Sequence, residues 1–217
     1  MTTDVVAGRG DGWGANRDFS FRNGAYRLDL SVAWAMRNVL SHLASRTKAS
    51  ETNPALGRLA AACQELESWQ RHLPLRSLPP LVGLAHWYFE NLRHPARDDY
   101  WWEGDVSLKF FEFAVPIFHL GGWFDVFLQG TLDAFSGIRR AGRSAKCREN
   151  QRLVVDPWVH GPGNVGKSQV DALDFGPNAW FDLTETRLRW YKHWLKDVEN
   201  DAHAAERASR LIVPVLE

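Results

Sequence analysis

A helical subdomain followed by a parallel α/β layer is the fold class this sequence predicts, and three observations predict it. The first half carries apolar stripes at three- and four-residue spacing, interrupted by prolines. The second half carries short apolar runs, each followed by an amphipathic stretch of helical length, the alternation of a parallel sheet with covering helices. With 45% hydrophobic residues over 217 positions, the chain can bury a core of that size.

From Tyr26 to Arg46, Leu28, Val32, Ala35, Met36, Val39, Leu40 and Leu43 recur on one helical face. A second stripe runs through Leu56, Leu59, Ala60, Cys63, Leu66 and Leu73, with Asn53 placed as N-cap and Pro54 at the first helical position. Pro74, Pro79 and Pro80 break the chain before a third segment, Leu81 to Arg93. The character changes near Phe113. Val115 to Leu120 reads as a buried strand ended by a tight turn at Gly121-Gly122, and a helix follows from about Val126 to Arg139 with Asp125 placed to cap it. Arg152 to Val155 reads as a second buried strand, ended by Pro157, and a long amphipathic helix spans about Ala179 to Val198. Leu211 to Leu216 reads as a further strand, and no internal repeat or low-complexity segment is present.

Composition excludes several function classes. Lys plus Arg and Asp plus Glu are 26 each, so no basic surplus points to nucleic acid. The two cysteines, Cys63 and Cys147, stand outside any Cys/His cluster, which argues against a zinc site or a disulfide framework. His42, His72, His86, His94, His119, His193 and His203 lack metal-ligand spacing, so no metal is expected. Met1 to Asp11 has no apolar core of a secretion signal and no run is long enough to span a membrane, so a cytoplasmic location without membrane contact is expected. Eleven tryptophans are a high load, to be placed in the core or in the walls of an apolar pocket.

Two loops carry chemistry, because in an open α/β sheet the reactive groups sit just past the strand ends. Gly121-Gly122-Trp123-Phe124-Asp125 sets a carboxylate after one strand, and Asp156-Pro157-Trp158-Val159-His160-Gly161 sets an imidazole after the next, 35 residues on. Acid then histidine is the order of the last two members of a Ser, Asp, His triad. On the residues alone, Asp125 serves equally as a helix N-cap and His160 as a structural loop histidine.

These loops resemble the G-W-Y/F-D and G-P-W-x-H-G motifs of the CocE/NonD superfamily, which holds cocaine esterase, α-amino-acid ester hydrolase and X-prolyl dipeptidyl-peptidase. Phe21 to Tyr26 resembles the lead-in to that family's helical cap, and His94-Pro95-Ala96-Arg97-Asp98-Asp99-Tyr100-Trp101 its cap exit. Arg189-Trp190-Tyr191-Lys192-His193-Trp194-Leu195 resembles its last core helix. The resemblance implies an α/β-hydrolase fold with a helical cap at residues 1–105, the C-terminal part of the core at 106–210 and the start of a further β domain at 211–217. It implies hydrolysis of an ester, amide or peptide substrate through an acyl-serine, with no cofactor, with Asp125 orienting His160, His160 as general base and acid, and Trp123, Phe124 and Trp158 beside the substrate.

Two departures from the family pattern matter. The glycine expected before Pro157 is Asp156. No serine stands in G-x-S-x-G, so this chain is expected to supply acid and base only, as a truncated form that is inactive alone and that associates with an N-terminal hydrolase half or with itself. Two other readings compete. One is a non-catalytic remnant that binds a small ligand or a partner chain. The other is a nucleotide site, since Gly161 to Ser168 satisfies the P-loop string G-x-x-x-x-G-K-S/T, although no strand leads directly into it. The acidic group Asp98, Asp99, Glu103 and Asp105 reads as helix caps and a solvated face.

Overall fold

The structure, a computed structural model, describes residues 20–22, 24–48, 53–96, 98–102, 104–161, 163–180, 182–200 and 210–211. Met1 to Asp11, Asn23, Arg97, Glu103, Pro162, His203 and the tail after Leu211 lie outside the described residues. The chain divides between Trp101 and Trp102 into two compact units, each with its own core.

The first unit is helical. A two-residue hairpin, β1 (Phe21–Arg22) against β2 (Ala25–Tyr26), turns at Gly24, whose φ of 84° suits a residue without Cβ. Helix α1 (Leu28–Arg46) buries Val32, Ala35, Met36 and Val39, the centre of the first stripe, and carries Asp29 and Arg46 at the ends where the helix dipole favours them. Helix α2 (Pro54–Gln64) begins as its sequence dictates, with the Asn53 Oδ1 accepting from the N–H groups of Ala55 and Leu56 at 3.1 and 3.3 Å. The second stripe does not continue as one helix. Glu65 takes a non-helical ψ of 30°, α3 (Leu66–Gln70) is a separate short turn, and Leu73 ends 77% exposed. Helix α4 (His86–Arg93) and the single turn α5 (Asp99–Trp102) complete the unit, and Val32, Met36, Leu59, Leu78, Leu81 and Tyr88 form its core.

The second unit is an α/β layer. Its elements are β3 (Ile117–Phe124), α6 (Leu128–Ala141), α7 (Ala145–Glu149), β4 (Gln151–Val159), the hairpin β5 (Gln169–Val170) with β6 (Leu173–Asp174), α8 (Leu183–Lys196) and β7 (Arg210–Leu211). The sheet has the order β3-β4-β7, with β3 parallel to β4 and β4 parallel to β7. Phe118, Leu120 and Val154 pack with Trp158 against Trp190 of α8, while Ile117 packs on Ala134 and Ile138 of α6 and Cys147 of α7. Burial on both faces is why these strands read as continuous apolar runs rather than as an alternation.

The strand ends differ from their sequence signals. Gly121 and Gly122 lie inside β3 instead of ending it. A Cβ on Gly122 would stand 2.2 Å from the Trp158 carbonyl oxygen, so the glycine serves close strand approach and not a turn. Pro157 lies inside β4. The register runs Gly122 to Asp156 and then Phe124 to Val159, so Pro157 and Trp158 together face the single residue Trp123. Such a bulge accommodates a residue that cannot donate to the ladder. Helix α6 starts at Leu128, two residues past the expected position, and α8 starts at Leu183 because the Asp182 side chain caps it at the Glu185 N–H, 2.9 Å away. Among the described residues no helix is long and apolar enough to cross a membrane.

Candidate active site

The Asp125 carboxylate leaves β3 in a fixed orientation. Its backbone N–H donates to the Gly122 carbonyl at 3.0 Å, and its Oδ1 accepts from the Phe127 N–H at 2.9 Å. This turn two residues before α6 replaces the simple N-cap expected from the sequence, since Phe127 occupies the cap position and makes no side-chain cap bond. The second oxygen, Oδ2, is thereby free to face outward, and it lies 3.2 Å from Nδ1 of His160 at the end of β4.

His160 is held from three sides. Asp125 meets Nδ1, the edge of the Phe127 ring meets the imidazole at a centroid distance of 5.0 Å, and Asn164 Nδ2 donates to the His160 carbonyl at 3.2 Å. The turn after it uses Gly161 at a φ of 116°, a conformation that a residue with Cβ rarely adopts. The His160 side chain is 63% exposed and that of Asp125 18%. With Nδ1–H donating to the carboxylate, Nε2 carries the lone pair, and no described residue hydrogen-bonds to it. An exposed pair of this kind contributes at most about 1 kcal/mol to stability, so its worth is orientation.

The aromatic residues expected beside the substrate separate into two kinds. Trp123 is half-buried and Phe124 is 43% exposed, its ring 6.0 Å from that of Phe175. Trp158 does not line a pocket: it is 1% exposed in the core against Trp190, and its Nε1 donates to the Lys167 carbonyl at 3.2 Å. Asp156, which stands where the glycine is expected, is fully buried within β4.

The P-loop string lacks the geometry its chemistry needs. A phosphate cradle requires a helix to open at Gly166-Lys167-Ser168, and here Ser168 leads straight into strand β5. Of the acidic group, Asp105 is buried and caps the following 3-10 helix through the Ser107 N–H at 3.0 Å, while Asp98 pairs with His94 at 2.8 Å. Among the described residues no three His, Cys, Asp or Glu side chains gather as metal ligands.

One buried polar pair escapes a sequence reading. His119 is completely buried in β3 and its Nε2 bonds the Gln151 Oε1 at 2.7 Å, while Gln151 Nε2 donates to the Cys147 carbonyl at 2.7 Å. Burial drives the His119 pKa down to about 4, so the ring is neutral at ordinary pH. Nothing in the spacing of His119 and Gln151 announces the contact, because it depends on the parallel register.

The sequence from residue 5 to residue 162, which includes both Asp125 and His160, matches the model of a family described as X-Pro dipeptidyl-peptidase (S15 family). No curated protein matches the chain.

Proposed function

The chain belongs to the X-Pro dipeptidyl-peptidase (S15) family, a family of hydrolases with an α/β-hydrolase-type fold, and from that premise we propose that Asp125 and His160 are the acid and base of an acyl-transfer site. The observation that carries the proposal is the 3.2 Å contact between Asp125 Oδ2 and His160 Nδ1 past the ends of adjacent parallel strands, with Nε2 turned away from the carboxylate. Asp125 holds the tautomer in which Nε2 accepts a proton and stabilises the imidazolium that forms. Nε2 takes the proton of a serine hydroxyl as its oxygen attacks an ester or amide carbonyl, then returns that proton to the leaving group. Water repeats the sequence on the acyl-serine.

No serine of this sequence stands in G-x-S-x-G, so the nucleophile and the oxyanion donors come, in this reading, from a segment outside these 217 residues. The edge of β3 that does not face β4 has no neighbouring strand among the described residues and is where such a segment would pair. The test is co-expression with a serine-bearing half from a relative, followed by assay of ester hydrolysis. Hydrolysis is expected only in the combined preparation, and Asp125→Asn or His160→Ala should lower it by about a thousandfold or more. Equal activity with His160→Ala would remove the assignment. The chain alone should take up no fluorophosphonate probe, because a hydroxyl without an activating turn and oxyanion hole is a weak nucleophile.

A further inference from the structure

We infer that Asn164 is a positioning residue for His160, a role that rests on the reading of Asp125 and His160 as acid and base, and that the loop at 161–168 serves to present it. Asn164 Nδ2 donates to the His160 carbonyl at 3.2 Å. That carbonyl belongs to the peptide plane between His160 and Gly161, and glycine is the residue type that restrains a neighbouring plane least.

The imidazole needs such a hold. His160 stands one residue past the end of β4, and its side chain is 63% exposed. An exposed contact of 3.2 Å between carboxylate and imidazole is worth less than the conformational freedom that a loop residue loses on being fixed. Asp125 therefore orders the ring only when the backbone beneath the ring is already ordered. The Asn164 amide supplies that order from the carbonyl side.

The loop keeps Asn164 in place, and the residues that make up the P-loop string have main-chain uses in it. The Asn164 N–H donates to the Gly161 carbonyl at 3.1 Å, and the Asn164 carbonyl accepts from the Lys167 N–H at 3.4 Å, so two successive turns bracket the residue. Gly161 and Gly166 have φ of 116° and 86°, values that a residue with Cβ rarely adopts. Lys167 contributes its carbonyl, which accepts from the Trp158 indole at 3.2 Å, and Ser168 contributes its own to the Phe175 N–H at 2.9 Å. Val165 packs on the cluster that holds Trp158 and Trp190. The loop thus returns to the strand it left and is bonded to it on either side of Val159.

Solid-state NMR of the full chain carrying nitrogen-labelled histidine tests this role, because the two neutral tautomers differ in their ring nitrogen shifts whether or not the chain associates. The His160 signals are those lost in His160→Gln, and in the neutral ring the Nδ1–H form should dominate. Asn164→Leu, similar in size but without a donor, should lower the ratio of the Nδ1–H to the Nε2–H form by about fivefold to tenfold, the equivalent of one loop residue regaining its freedom. Asn164→Gln, which keeps the amide, and Lys167→Ala, which keeps the carbonyl, should stay close to the unsubstituted chain, with circular dichroism to check the fold. In the combined preparation with a serine-bearing half, Asn164→Leu should lower kcat by a similar factor and leave KM unchanged. An unchanged ratio in Asn164→Leu, an equal fall in Lys167→Ala, or a fall in Asn164→Gln as large as in Asn164→Leu would each overturn the role. Asp125→Asn separates the two readings. A ratio that responds to it but not to Asn164→Leu keeps the acid and base and removes Asn164, whereas a ratio indifferent to both removes the pair as well.

Discussion

A methyl group at position 122 has nowhere to go, because it would sit 2.2 Å from the Trp158 carbonyl oxygen on the neighbouring strand. Gly122→Ala must push β3 and β4 apart where they lead into Asp125 and His160, and about 3 kcal/mol of stability should be lost, readable from a urea midpoint. A second residue makes stability depend on acid. The unfolded chain protonates His119 near pH 6.5, whereas the folded protein resists until about pH 4. The unfolded state therefore binds more protons in that window, and the contribution of His119 is intact above pH 6.5 and is lost as the pH falls toward 4. Between pH 7 and pH 5 the loss should be about 2 kcal/mol, and it should vanish from the difference between those two pH values in His119→Leu. The placement of Asp125 and His160 past two strands is visible in the sequence, because each follows an apolar run. The role of Trp158 is not, because tryptophan serves core and pocket wall alike and only the register decides which.

Elements with a single strong periodicity are the legible ones. The stripe of α1 and the cap of α2 follow from spacing and from Asn53-Pro54. The strand limits do not, since Gly121-Gly122 and Pro157 carry the usual signals of chain reversal yet stay within β3 and β4. A glycine marks either a turn or a close approach, and a proline either an end or a bulge, and the neighbouring strand that chooses between them is remote in sequence. Helix α8 tests the packing that results. Trp190 is 1% exposed and meets the edge of Phe118 at 5.7 Å. Trp190→Ala should cost about 3–5 kcal/mol through lost burial and a cavity, measured by urea or thermal unfolding.

At the scale of the molecule the α/β unit is a narrow parallel sheet, β3-β4-β7, covered by α6 on one face and α8 on the other. Parallel sheets need both faces buried and tolerate exposed edges poorly, and β3 presents one edge without a neighbour among the described residues. The chain by itself is therefore expected to associate in solution, and supplying a serine-bearing half should raise its soluble yield and its unfolding temperature. Light scattering and thermal melts of the separate and combined preparations decide this. A monodisperse, thermally stable monomer of the chain alone would refute it.

The bulge opposite Trp123 has a consequence in the gene. Continuing the register from Phe124 and Val159, Asp125 comes level with His160, whereas an unbroken ladder from Gly122 and Asp156 would set it beside Val159. Loss of one codon at Pro157 or Trp158 would remove the bulge and leave an unbroken ladder in which the imidazole still comes level with the carboxylate, whereas gain of one codon there would slide the imidazole past it and turn it toward the opposite side of the sheet, with both amino acids of the pair unaltered. The placement of this pair is encoded in a count of residues as much as in their kinds, so an in-frame insertion there is more disruptive than most substitutions.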